Sequence, residues 1–384
     1  MSWNKRLAAL GAGVLLLVLA AVSIVTPGWR SLAGERQLPT RVSDQEFWRI
    51  VSEFSEPDGY FRSDNFLSNE INFQRVIPAL TSTAAPGGVY LGVGPEQNFT
   101  YLVALKPRIA FIIDIRRQNM LEQLLYKAFI ELSADRAEFL SRLFARKRPA
   151  ALDTSSSVDQ LFQSYSAAAP SEALFKANLR AALDRLEKLH RFTLTEDDER
   201  RIEYVYRAFY EGGPALDYSS SVGSRGFGFG RGFMPSYTEL MTATDDQGEQ
   251  RSYLASEENF RILKRLETDN AVIPLVGDFA GDKAIRSVGR YLSEHGSTVT
   301  AYYTSNVEQY LFQQGDNWKK FLSNVATLPV DGRSTFIRSV SNGWYGTSSP
   351  GRRATTLLCP IADLVKAFAE DRIYSYSDVI GLSK

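Results

Sequence analysis

The chain has 384 residues, long enough for one large domain, and its 44% hydrophobic and 23% charged residues are an ordinary globular composition. Forty-four basic residues balance 44 acidic ones, and three of the basic ones precede position 35, so the remainder is slightly acidic, which argues against a nucleic-acid binder that works by neutralising phosphates. The single Cys359 excludes an internal disulfide and every multi-cysteine metal site, and His190 and His295 are too few for a histidine-rich one and read as structural.

The N-terminus reads as a membrane signal. Lys5 and Arg6 precede Leu7–Val25, nineteen uncharged residues, which as a helix would span roughly 28 Å, close to the thickness of a bilayer's hydrocarbon core. Pro27, Trp29 and Arg30 then mark an interface. The expectation is an uncleaved single-pass anchor over residues 1–34 in an inner membrane, with the body, 35–384, on the periplasmic side. The rival is a cleaved signal peptide with Ser31-Leu32-Ala33 as its processing site. Beyond a polar linker, Ser43 and Glu46 have capping-box spacing and open a helix to about Phe54. A turn at Pro57–Tyr60 and a second helical stretch within Asn65–Leu80 follow.

Gly87 to Arg117 is the most informative stretch. Val89-Tyr90-Leu91 is a buried strand entering the turn Gly92-Val93-Gly94-Pro95, Phe99–Leu105 suits a short helix, and Ile109–Ile113 is a second strand closed by Asp114. Asp114 lies 20 residues after Gly94, near the spacing between a phosphate- or nucleotide-cradling turn and a ribose-binding carboxylate. Residues 118–146 are strongly helical, with Ser133 as a cap for a second segment; 149–170, rich in Ala, Ser and Pro, read as a surface loop; helices follow at 171–191 and 195–211. The glycine–aromatic run 219–235 holds no regular element, and its Arg225 and Arg231 suit an anionic ligand if the run is a lid; otherwise it is a surface loop. After a helix at 256–267 the α/β pattern resumes with strand Val272–Gly277, Asp278 at its end, helix Asp282–Ser293, strand Thr298–Tyr303, helix Asn306–Gln314, strand Thr335–Val340 and helix Pro360–Ala369. This alternation predicts an α/β fold, a Rossmann-like mainly parallel sheet with helices on both faces and a helical insertion at about 150–267.

The candidate site gathers at strand ends. Gly92 and Gly94 let a backbone approach a ligand, or simply make a tight turn. Asp114 would accept from ribose hydroxyls, or pair with Arg116 or Arg117. Asp278 would face the same crevice, whereas Asp282 reads as a cap. Glu96 follows the turn and is open to either role, Asn98 reads as a cap, and Ser305 is equally a helix cap or a site residue. No Walker A, HExxH, kinase or Gly-x-Ser-x-Gly set is present.

The order of VYLGVGP, IAFIIDIR and IPLVGDF resembles a class I S-adenosylmethionine-dependent methyltransferase fold. YLGVGPEQNFTYLVALKPRIAFIIDIRRQN and ELSADRAEFLSRLF also resemble an uncharacterised bacterial family built on that fold, over roughly 43–345. By the resemblance, S-adenosylmethionine is the cofactor, held by Gly92, Gly94 and Asp114, and Asp278 acts on the substrate side as the catalytic group; Glu96, beside the turn, is taken as a further cofactor contact. The chain departs from the methyltransferase pattern where Tyr90 and Leu91 replace an acid before the first glycine and where Glu96 or Gln97 replaces a third glycine. The implied activity is methyl transfer to an unknown acceptor. The alternative is a non-enzymatic envelope protein that uses the crevice or the 219–235 loop to bind a small ligand or a protein partner.

Overall fold

The computed structural model describes residues 37–84, 86–218, 234–341 and 354–383. The apolar segment 7–25, the processing-type residues 31–33, and the glycine–aromatic run up to residue 233, with Arg225 and Arg231, lie outside the described residues. Among the described residues no helix is long and apolar enough to cross a membrane.

Six strands form one sheet: β1 Val89–Gly92, β2 Ile109–Asp114, β3 Val272–Val276, β4 Val299–Ser305, β5 Val330–Ser341 and β6 Ala354–Pro360, in the order β3-β2-β1-β4-β5-β6. All neighbours are parallel except β5 and β6. The class is therefore α/β with a mainly parallel sheet. Every residue of β1, β2 and β3 is buried. Successive strand side chains point to opposite faces, so both faces of these strands are covered, and their unbroken apolar runs are the sequence consequence. Pro274 sits in β3, the strand at one end of the sheet, where a missing N–H costs least.

The helices are α1 Asp44–Phe54, α2 Ile77–Thr83, α3 Gln97–Leu105, α4 Arg117–Leu132, α5 Arg136–Leu143, α6 Val158–Ala167, α7 Glu172–Asp184, α8 Glu196–Gly212, α9 Tyr237–Thr242, α10 Glu257–Thr268, α11 Ala284–Glu294, α12 Val307–Phe312, α13 Asn317–Val325, α14 Ile361–Ala369 and α15 Tyr376–Gly381. Both α4 and α11 pack on β2, and α8 and α10 pack on α4. The helices between β2 and β3 thus join the sheet through α4. Buried His190 fastens this region to α1: its Nδ1 lies 2.8 Å from Asp44 and its Nε2 2.7 Å from Glu131 of α4.

Several expectations fail for local reasons. Residues 149–170 are not all loop: Val158, Leu161, Phe162 and Tyr165 bury one face of α6, and Ser157 and Gln160 close its N-terminus with a capping box. Composition hid that spacing. The cap of α5 is Asp135, whose side chain accepts from the Glu138 N–H, and not Ser133. Asn65–Asn72 is irregular, starting from a left-handed Asn65 (φ 56°), and helix begins only after it. Helix α13 and strand β6 were not expected from the sequence.

Candidate functional site

The sheet changes direction between β1 and β4: chain order runs outward to β2 and β3 on one side and to β5 and β6 on the other. Ligand crevices in such sheets lie outside the carboxyl ends of the strands at that point. A cavity of about 160 Å³ opens there. Its floor is made by the ends of the first four strands: Val93-Gly94-Pro95, Asp114-Ile115-Arg116, Gly277-Asp278-Phe279 and Ser305-Asn306. The irregular segment Asn65–Glu70 forms a wall, and Tyr60, Phe61, Tyr218 and Tyr310 supply aromatic rings. Gly94, Asp114 and Asp278 are thus brought together, while Gly92 and Glu96 do not line the cavity.

The glycine turn is held shut from behind. Buried Asn98 is not a cap; it lies one residue inside α3 and turns back, Nδ2 donating to the carbonyls of Val93 (3.0 Å), Gly94 (3.3 Å) and Pro95 (2.8 Å). Its Oδ1 accepts from the Tyr90 hydroxyl at 2.8 Å, and Gln123 adds a donor to the Gly94 carbonyl at 3.0 Å. A Cβ on Gly92 would stand 2.0 Å from Asn98 Oδ1, so this glycine makes room for Asn98. Gly94 differs: its φ of +79° favours glycine, and the nearest atom to a Cβ there is Gln97 Nε2 at 3.5 Å.

Glu96 is fully buried, and that burial pushes its carboxyl up to about 8, offset in part by its own N–H and that of Ser68 and reinforced by the charge of Glu70. Behind it, Glu122 of α4 is also buried and is pushed well above the ordinary carboxyl range by desolvation and by the Glu96 charge. Glu96 therefore sits in the packing behind the turn and off the cavity lining.

Asp114 combines both readings. It lines the cavity, yet Arg116 grips it with Nε to Oδ1 at 3.0 Å and Nη2 to Oδ2 at 3.1 Å, and the Arg116 N–H donates to Oδ1 at 2.9 Å. The guanidinium also donates to the carbonyls of Ser63 and Asp64, tying β2 to the wall segment. Asp114 thus presents a carboxylate that is already neutralised.

Asp278 is half-buried, and among the described residues only its Oδ1 is engaged, accepting from the Ala280 N–H at 2.9 Å. The N–H groups around this turn go to Glu56, which accepts from Asp278 and Lys283 at 2.8 Å and from Ala284 at 2.9 Å. Glu56 performs the capping expected of Asp282, which is exposed. Ser305 does not cap α12 either. It is left-handed (φ 51°), and its hydroxyl donates to Oε1 of Glu70.

Glu70 and its neighbours went unread in the sequence. The signal was a polar triplet, Ser68-Asn69-Glu70, set between Phe66-Leu67 and Ile71, where a helix pattern should have stayed apolar. Asn65 and Ser305, both left-handed non-glycine residues, line the same cavity, and such conformations concentrate at functional sites. Among the described residues no group of three or more His, Cys, Asp or Glu side chains is disposed to hold a metal ion.

A family described as a domain of unknown function, DUF7790, matches residues 65–380. The chain belongs to that family. The DUF7790 match takes in all six strands and every strand-end residue of the cavity floor, and begins at Asn65, the first residue of the wall. No curated protein matches the chain.

Proposed function

We propose that the strand-end cavity is the site of a methyltransferase-like, Rossmann-like domain that binds a small organic molecule bearing a positive centre, with S-adenosylmethionine as the first candidate. The observation behind this is the combination of charges and rings: Glu70, Asp114 and Asp278 face one cavity whose one cation among the described residues, Arg116, is already paired, beside Tyr60, Phe61 and Tyr310. Carboxylates and aromatic faces in a partly desolvated cleft favour a sulfonium or ammonium group. The residues fit such a molecule at Gly94, where the backbone is open, and at Asp278, which keeps a free oxygen. Asp114 would contribute through the oxygen edge that Arg116 leaves uncovered. Bound there, S-adenosylmethionine would supply an activated methyl group to an unknown acceptor; Asp278 would orient that acceptor.

Calorimetry on the full-length chain tests this. S-adenosylmethionine should bind, and Asp278→Asn should weaken binding about tenfold, the equivalent of roughly 1.4 kcal/mol. Absence of heat at millimolar ligand would end the reading.

The second reading is ligand or partner binding without catalysis. It draws support from the Asp114–Arg116 pair, which fills much of the acceptor a ribose would use. In both readings residues 7–25 are proposed to anchor the chain, and the second places the body in the periplasm. S-adenosylmethionine is a cytosolic metabolite, so a C-terminal reporter active only in the periplasm would favour the second reading.

A further inference from the structure

Glu70 is the most unusual group in the cavity wall. It is 4% exposed yet lines the cavity. Ser305 donates to its Oε1, the hydroxyls of Tyr303 and Ser339 also stabilise the carboxylate, and its Oε2 makes no geometric hydrogen bond among the described residues. An unpartnered buried carboxyl oxygen is costly unless a ligand or proton serves it. Ser305 keeps a left-handed conformation to make its contact, although nothing in a serine side chain favours that conformation over glycine.

We propose that Glu70, positioned by Ser305, is the proton-transfer group of this crevice, exchanging a proton with an O–H or N–H group of the small molecule bound there. The ligand heteroatom passes its proton to Oε2, keeps the bonding electron pair and becomes the nucleophile; the proton later leaves to water, and no oxidant or reductant is involved. The inference rests on the crevice being a ligand site and not on which cofactor occupies it. Desolvation raises the Glu70 carboxyl above the ordinary range, with the hydroxyls of Ser305, Tyr303 and Ser339 pulling the other way. The ionisable groups around it are Tyr90 of β1, Tyr101 of α3, Tyr303 of β4 and Glu96 of the turn. Burial pushes the three tyrosines well above their ordinary range, and the Glu70 charge raises the Glu96 carboxyl.

The test is labelling of the full-length chain with a diazoacetamide that esterifies protonated carboxylic acids, followed by peptide mass spectrometry from pH 5 to 8, with exposed Glu196 as internal reference. Glu70 should be esterified and should stay reactive to higher pH than Glu196. Ser305→Ala should move the Glu70 profile further up, because a donor to the carboxylate is lost. A Glu70 that stays unlabelled in the folded chain, or follows the Glu196 profile, would overturn the proposal, and a profile indifferent to Ser305→Ala would remove the positioning role of Ser305. The measurement needs no bound cofactor. Labelled Glu70 with no calorimetric binding of S-adenosylmethionine leaves this inference standing and rejects the cofactor; unlabelled Glu70 with binding does the reverse.

Discussion

The two walls of the cavity are built differently. On the glycine side, Asn98 and Gln123 take the carbonyls of Val93, Gly94 and Pro95, and Arg116 takes both oxygens of Asp114. On the opposite side, Glu70 keeps one oxygen unserved and Ser305 keeps a left-handed backbone. Unpartnered oxygens also stand on the glycine side, on Glu96, Gln97, Glu122 and Gln123, but Glu70 is the carboxyl among them that lines the cavity. The glycine motif is therefore the scaffold of the site, and the wall without a motif presents the unpartnered carboxyl.

If that contrast is right, substitutions on the glycine side cost stability and those on the far side cost ligand handling. The largest expected loss is for Asp114→Ala, which strands a buried guanidinium; about 3–5 kcal/mol should disappear in urea unfolding. Asn98→Ala should follow at about 3 kcal/mol, since three carbonyls and the Tyr90 hydroxyl lose their partner together. Gly92→Ala should cost roughly 1–3 kcal/mol by forcing Asn98 aside; a near-neutral result would mean that the turn is looser than described and would revive a ligand role for Gly92.

Glu96→Gln gives a pH-dependent signature. The folded carboxyl sits at about 8 against an ordinary 4.5. Above about 4.5 the unfolded chain ionises while the folded one resists, so this group's contribution is full at low pH and is lost as pH rises through about 8. Glu96→Gln should therefore gain stability relative to the parent between those values, by an amount on the order of 3 kcal/mol at the upper end. Equal pH profiles would mean that Glu96 is open to solvent or ligand. The smallest stability effect is expected for Tyr60→Ala: the ring is 83% exposed at the cavity mouth, so unfolding should shift by less than about 0.5 kcal/mol. Its affinity for a cationic ligand should nevertheless drop several-fold, about 1 kcal/mol.

Reading the sequence succeeded where residues answer to their own neighbours in the chain. Ile109–Asp114 is a fully buried strand because an uninterrupted apolar run has few other solutions, and Thr195 caps α8 because its side chain needs only the Asp198 N–H three residues on. It failed at Asn98 and Asp282, where a cap-like residue competes with a distant one: Asn98 is drawn to Tyr90 of β1, and Glu56, more than two hundred residues upstream, reaches the start of α11 first. Glu96 read as a site residue because its position beside the glycines says nothing about which way the backbone turns it.

The sequence alone determined the alternation of strands and helices, the parallel sheet that follows from it, and the proximity of Gly94, Asp114 and Asp278, because strand ends in such a sheet share one edge. Only the tertiary structure decided that Asp114 is neutralised by Arg116, that Asn98 seals the turn, and that Glu70 meets Ser305 across 235 positions of chain. Pairing of that kind depends on which surfaces packing brings together, and no local spacing encodes it.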